Sequence, residues 1–368
     1  MVSPTQEVPM TLDSYHPLGR SGLRVSRLAL GAMTFAQDGW GCDPRIAGQI
    51  LDGYLAAGGN FVDTADIYAG GASEETLGAL IAQRKIRDRL VLSTKFTMAV
   101  QPYDPNSAGN GRKSMLRALE GSLRRLRTDY VDLYTLHVWD MLTGAEEVMR
   151  GLDDLVSAGK VRYIAFSDVP AWYAARAQTL ADWRGYEPLC ALQLEYSLAE
   201  RGLEYEFPSL CQELGMGLVT WGPLGNGLLS GKYTAHTHPE HLPQGRITAT
   251  ADRTPPDLDK RTVRNWQIVA ELRTIANQLG RSPAQIAVNW VANRPAVNSV
   301  ILGATTLPQL EDTVASLNFL LPEEFRVRLD EVSAMPRTVP YDFMPWLQQR
   351  INAGISRTPP GFFADAAH

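Results

Sequence analysis

The feature that most constrains this chain is an alternation. Short apolar runs of extended period are separated by longer segments of helical period almost from one end to the other. The apolar runs span residues 27–31, 61–63, 90–94, 131–137, 161–167, 189–194, 217–220 and 299–302. Eight such strands close a parallel barrel. Helices are predicted over 45–57, 74–83, 113–126, 145–158, 171–183, 206–214, 262–279 and 307–316. A further one over 283–292 has Ser282 as its N-cap and Pro283 at the first helical position. Ser73 is expected to cap the second helix, with Glu74 and Glu75 in a first turn whose dipole favours negative charge. Residues 16–26 predict a hairpin leading into the first buried strand. The expected fold class is α/β: a (β/α)8 TIM barrel with an N-terminal β-hairpin and a C-terminal tail over the barrel mouth.

A doubly wound open sheet is the competing architecture. It would place a glycine-rich turn after an early strand, and no G-x-G-x-x-G follows any strand here. Of the 368 residues, 45% are hydrophobic and 20% charged, enough for a large core, and the net charge of -5 gives no reason to expect nucleic acid. Cys42, Cys190 and Cys211 have neither the number nor the spacing of a disulfide framework or zinc site, which fits a reducing cytoplasm. Residues 1–15 lack the apolar stretch of a secretory signal, and no run reaches the length of a membrane span, so a soluble cytoplasmic protein with a small-molecule partner is expected.

Four polar residues fall where predicted strands give way to loops: Asp63, Tyr68, Lys95 and His137. A barrel gathers such positions at one mouth. Reduction of a carbonyl by a hydride needs a proton for the developing alkoxide. Tyrosine can supply it, a neighbouring ammonium should lower its pKa, and a carboxylate should hold that ammonium charged and aimed. Tyr68, Lys95 and Asp63 are those three types.

The motif Asp63-Thr-Ala-Asp-Ile-Tyr68, the strand-end Lys95 and His137, the segment Trp221-Gly-Pro-Leu-Gly-Asn-Gly-Leu-Leu-Ser-Gly-Lys232 and Gly303-Ala-Thr-Thr-Leu-Pro-Gln309 together resemble the aldo-keto reductase superfamily over residues 17–335. The resemblance implies an N-terminal extension over 1–16, a barrel over 17–335 and a tail over 336–368 that reaches the substrate pocket. It implies a catalytic tetrad of Asp63, Tyr68, Lys95 and His137, with Tyr68 as general acid/base and His137 orienting the carbonyl. Asp66 reads as a loop residue outside the tetrad.

The same resemblance implies a cofactor site. Ser167, Asp168 and Gln193 would face the nicotinamide carboxamide, with Asp168 standing where the family usually has asparagine. An ionised Asp168 can only accept, so Ser167 or Gln193 is expected to serve the carboxamide oxygen. Trp221 would stack on the nicotinamide ring, and Gly222, Pro223, Leu224 and Gly227 would let backbone approach the pyrophosphate beside Lys232. Gly303, Thr305, Thr306, Gln309 and Asp312 would meet phosphate at a helix N-terminus. No basic residue stands near Thr305 or Thr306, and Arg246 could reach a 2′-phosphate instead. NADP(H) is therefore favoured and NAD(H) use is possible.

Phe35, Trp40, Met98, Trp139, Tyr341, Phe343 and Trp346 are expected near the substrate, a lining suited to apolar or aromatic carbonyls. His236, His238 and His241 cluster, but Pro239 and Pro243 interrupt any rigid face, so no metal site is expected. Alternatives are a cofactor-binding regulatory subunit resembling potassium-channel β-subunits, and a metal-dependent hydrolase using Asp63 and His137, which leaves Lys95 and Trp221 unexplained.

Overall fold

The computed structural model of the protein describes residues 10–99, 104–235, 243, 245–336 and 338–351. The chain opens with an antiparallel hairpin, β1 (Tyr15–Pro17) and β2 (Arg24–Ser26), in register Tyr15 to Ser26. Eight parallel strands then close a barrel in chain order: β3 (Leu28–Gly31), β4 (Phe61–Asp63), β5 (Val91–Phe96), β6 (Val131–Leu136), β7 (Val161–Ser167), β8 (Leu189–Glu195), β9 (Gly217–Trp221) and β10 (Val297–Gly303), with β10 paired to both β9 and β3. The (β/α)8 expectation holds.

Helices α1 (Pro44–Ala56), α2 (Ala72–Arg84), α3 (Arg112–Leu126), α4 (Ala145–Ser157), α5 (Ala171–Arg184) and α6 (Phe207–Leu214) fill the successive crossovers. The last crossover carries α7 (Arg246–Ala249), α8 (Val263–Leu279) and α9 (Pro283–Ala292), and α10 (Leu307–Val314), α11 (Glu323–Val332) and α12 (Met344–Ile351) follow β10. Ser282 accepts from the Gln285 N–H as the expected cap of α9. Ser73 does not cap α2: the N-cap is Gly71, in a left-handed conformation, and Ser73 is buried, donating to the Ala32 carbonyl and meeting the Thr64 hydroxyl. Glu74 does lie in the first turn, but it is fully buried and tied to Thr94 and Arg125. Among the described residues no helix is long and apolar enough to cross a membrane.

Strand periodicity sets the two faces of the barrel wall. Leu28, Leu30, Val62 and Leu92 pack outward against the helices, while Ala29, Phe61, Val91, Leu133, Ala165, Ala191, Val219 and Ile301 form the interior. Leu18 and Val25, both fully buried, bring the hairpin into contact with that interior layer. Two residues further along the same strand face lie Gly31, Asp63, Ser167, Gln193, Trp221 and Gly303, and four beyond Val91 lies Lys95. The interior is therefore apolar toward the hairpin and polar toward the C-terminal ends of the strands.

Candidate active site

Asp63 ends β4 and Lys95 lies near the end of the adjoining β5, so the pleat turns both side chains inward. Lys95 Nζ is 2.5 Å from Asp63 Oδ2, with side-chain exposures of 0% and 3%. It also donates to the Thr64 carbonyl at 2.8 Å and to the Tyr68 hydroxyl at 3.4 Å. Asp63 Oδ1 accepts from Ser93 Oγ and Gln193 Nε2, each at 3.0 Å. A buried ion pair needs this kind of additional hydrogen bonding to offset its desolvation.

Tyr68 follows β4 by five residues, and a turn in which Ala69 and Gly70 adopt left-handed backbone leads from it into α2. Its ring meets the edge of His137 at 5.7 Å between centroids and 79° between planes. The expectation that Lys95 brings the phenol below its ordinary value is corrected. Burial is the larger influence and raises Tyr68, while Lys95 and Arg246 act in the opposite direction and Asp63 adds to the rise. Tyr68 therefore holds its proton at neutral pH. His137, held by its backbone N–H on the Phe96 carbonyl, is lowered to about 3 by burial and then by Lys95, and its buried Nδ1 has no hydrogen-bond partner. It is a neutral imidazole.

Asp63, Tyr68 and His137 line a cavity of about 820 Å³, with the fully buried Lys95 behind them, and the lining also takes in Trp40, Met98, Ser167, Asp168, Gln193, Trp221, Gly222, Pro223, Leu224, Gly227, Lys232, Arg246, Gly303, Thr305, Gln309 and Asp312. Gly222 and Gly227, with φ of +70° and +96°, occupy backbone conformations that a side chain would strain. Arg246 lies over the Trp40 ring, 5.5 Å from its centroid. Thr306 is not on the wall. It caps α10, accepting from the Gln309 N–H, while the Gln309 side chain accepts from Thr305. Asp312 accepts from Ser282 and Gln285.

On the wall formed by the ends of β7, β8 and β9, Asp168 accepts from Trp221 Nε1 at 3.2 Å and from Ser167 Oγ at 3.3 Å. Of the two residues expected to offer donors to a ligand, Ser167 has its hydroxyl committed to Asp168 and Gln193 one of its two amide N–H groups committed to Asp63.

The substrate residues divide. Trp40 and Met98 line the cavity. Phe35 is fully buried in the core instead, because the chain folds back there and pairs it with Cys42. Trp139 lies outside the lining and meets Trp172 edge-on at 5.4 Å. Tyr341 packs on Tyr205 and donates to Glu206 at 2.8 Å, away from the cavity, and Phe343 is exposed. The Trp346 side chain and His236, His238 and His241 lie outside the described residues. Sequence reasoning missed Met33, Thr34, Val138, Asn226 and Ser230 on the cavity wall. The first three could have been found, since they directly follow the ends of β3 and β6.

The sequence model described as "Aldo/keto reductase family" matches residues 27–334. A norsolorinic acid reductase of Aspergillus flavus is 33% identical over 94% of this chain and 87% of its own length. An uncharacterized oxidoreductase of Bacillus subtilis, YrpG, is 35% identical over 88% of this chain and 96% of its own. An aryl-alcohol dehydrogenase [NADP(+)] of Phanerodontia chrysosporium is 30% identical, covering 92% and 91%.

Proposed function

The chain belongs to the aldo/keto reductase family, and from that premise we propose that it is a nicotinamide-dependent oxidoreductase interconverting carbonyls and alcohols, with Tyr68 as general acid/base. The observation that carries the reading is the relay of Tyr68, Lys95 and Asp63, in which Tyr68 and Asp63 line the cavity and the buried Lys95 joins them. Its residues fit a dinucleotide. The cavity wall includes left-handed glycines, Lys232 and Arg246, and the Thr305 and Gln309 positions at the start of α10, a helix end suited to anions.

A bound nicotinamide would supply the hydride. Tyr68, kept protonated by burial, gives its phenolic proton to the oxygen of the reduced carbonyl. Lys95 then faces the phenolate at hydrogen-bond distance, and Asp63, braced by Ser93 and Gln193, keeps the ammonium in place. The neutral His137 beside the Tyr68 ring orients the substrate oxygen. In the oxidative direction the phenolate accepts the alcohol proton.

Lys232 and Arg246 on the wall, and the relative named for NADP(+), favour NADP(H), with NAD(H) use also open. Trp40, Met33, Met98 and Val138 favour apolar or aromatic carbonyls, in keeping with a relative named for aryl alcohols. The test is Tyr68→Phe, assayed by NADPH oxidation against a panel of aryl aldehydes and by fluorescence titration with NADPH and NADH. The reading expects turnover to fall by roughly 10²-fold or more with dinucleotide affinity retained. Turnover equal to that of the native protein would remove Tyr68 from the mechanism.

A further inference from the structure

Asp168 stands on the cavity wall without an ion pair among the described residues. Its φ of +46° is a left-handed conformation that aspartate and asparagine tolerate. Its two hydrogen-bond partners, the Trp221 indole and the Ser167 hydroxyl, are both neutral. The cation that acts on it, Lys95, is paired with Asp63, and Lys260 is paired with Glu195 at 2.8 Å. Glu195, from the end of β8, adds negative charge on the same side, and the neighbouring His137 is neutral.

A carboxamide guest brings one acceptor and N–H donors, so the wall that receives it must offer a donor as well as an acceptor. Three neutral side chains carry donors there, and each gives one to a carboxylate: Gln193 one of its two amide N–H groups to Asp63, Ser167 and Trp221 their single ones to Asp168. If Asp168 stayed ionised, the second Gln193 N–H would be the one donor of these side chains left for the carboxamide oxygen, beside a carboxylate that can only accept.

Building on the cofactor reading above, we propose that Asp168 recognises the nicotinamide carboxamide as a neutral carboxylic acid. Its O–H donates to the carboxamide oxygen, its carbonyl oxygen accepts the carboxamide N–H, and cofactor binding therefore takes up a proton. The acid form presents the donor and acceptor pair that an asparagine amide would present.

Burial raises the Asp168 carboxyl to about 6. Trp221, Ser167 and Lys95 restrain that rise, and Glu195 adds to it. A guest that excludes solvent raises it further. A group whose pKa is higher in the complex makes binding strongest below its free value. Affinity then weakens by about tenfold per pH unit as pH rises from the free value toward the bound one.

The experiment is calorimetric titration of the native protein and of Asp168→Asn with NADPH and with NADH near pH 7.5, in buffers of different ionisation enthalpy, with affinities followed from pH 6 to 8. The native protein is expected to take up close to one more proton than Asp168→Asn. Its affinity should fall by about tenfold between pH 7 and 8, a slope absent from the variant. Titration of the 2′-phosphate cancels in the difference between the two proteins, and NADH lacks that group. Equal proton counts in the two proteins, or no proton uptake by the native protein with NADH, would overturn the inference while leaving the cofactor reading intact. No binding of either dinucleotide by the native protein would overturn both.

Discussion

Gln193 donates its side-chain N–H to Asp63 Oδ1 at 3.0 Å, joining residues 130 positions apart across the barrel interior. Asp63 thus receives Gln193, Ser93 and Lys95 together. The amide that the sequence offers to a ligand gives one of its two N–H groups to the carboxylate that holds Lys95.

Asp63→Asn should leave the Lys95 ammonium buried without a counter-charge, at a cost of roughly 3–5 kcal/mol. Combining it with Lys95→Met should recover much of that stability and none of the activity. Urea denaturation of the single and double variants, paired with a turnover assay, checks both statements. A single variant as stable as the native protein would show that the pair is not desolvated in solution.

His137 should remain neutral through the working range. Its folded pKa is lowered to about 3, so its contribution to stability is present above the unfolded value near 6.5 and is lost as pH falls from there toward 3. Two-dimensional NMR of the imidazole should show no titration between about pH 5 and 8. A midpoint inside that window would mean that His137 enters the reaction as imidazolium.

Asp66 should favour folding only while protonated. It is fully buried, neither carboxyl oxygen has a hydrogen-bond partner, and burial, with Glu74 adding, raises it to about 7. The sign is that of a raised acid: stability falls as pH climbs from the unfolded value near 3.9 through 7. Asp66→Asn should therefore stabilise the protein more at pH 8 than at pH 5, by on the order of 2 kcal/mol. Denaturation midpoints at the two pH values measure it, and a pH-independent effect would contradict the assignment.

Tyr341→Phe should leave KM for aryl aldehydes unchanged, because the Tyr341 hydroxyl is bonded to Glu206 and its ring lies on Tyr205 outside the cavity. The lost exposed hydrogen bond should cost no more than about 1 kcal/mol. A several-fold change in KM would restore the tail to the substrate site.

The barrel was legible because its signal is local. A strand's two-residue period is written in consecutive residues, so the apolar interior positions Phe61, Val91 and Leu133 also foretell that Asp63, Lys95 and His137 lie on the inner face at the mouth. The cap of α9 was legible for the same reason, with Ser282 and Gln285 three residues apart. Ser73 looked equally suitable as a cap, yet its hydroxyl is used by Ala32, forty-one positions away.

Local order in the chain is thus enough for the fold class and for which residues reach the barrel mouth, since periodicity and strand-end position depend only on near neighbours. Folding settled the rest: the burial that leaves Tyr68 protonated against the pull of Lys95, the capture of the Gln193 and Ser167 donors by carboxylates, the retreat of Phe35 into the core and the docking of Tyr341 on Tyr205. Each depends on desolvation, or on competition among partners distant in sequence, and neither exists until the barrel has closed.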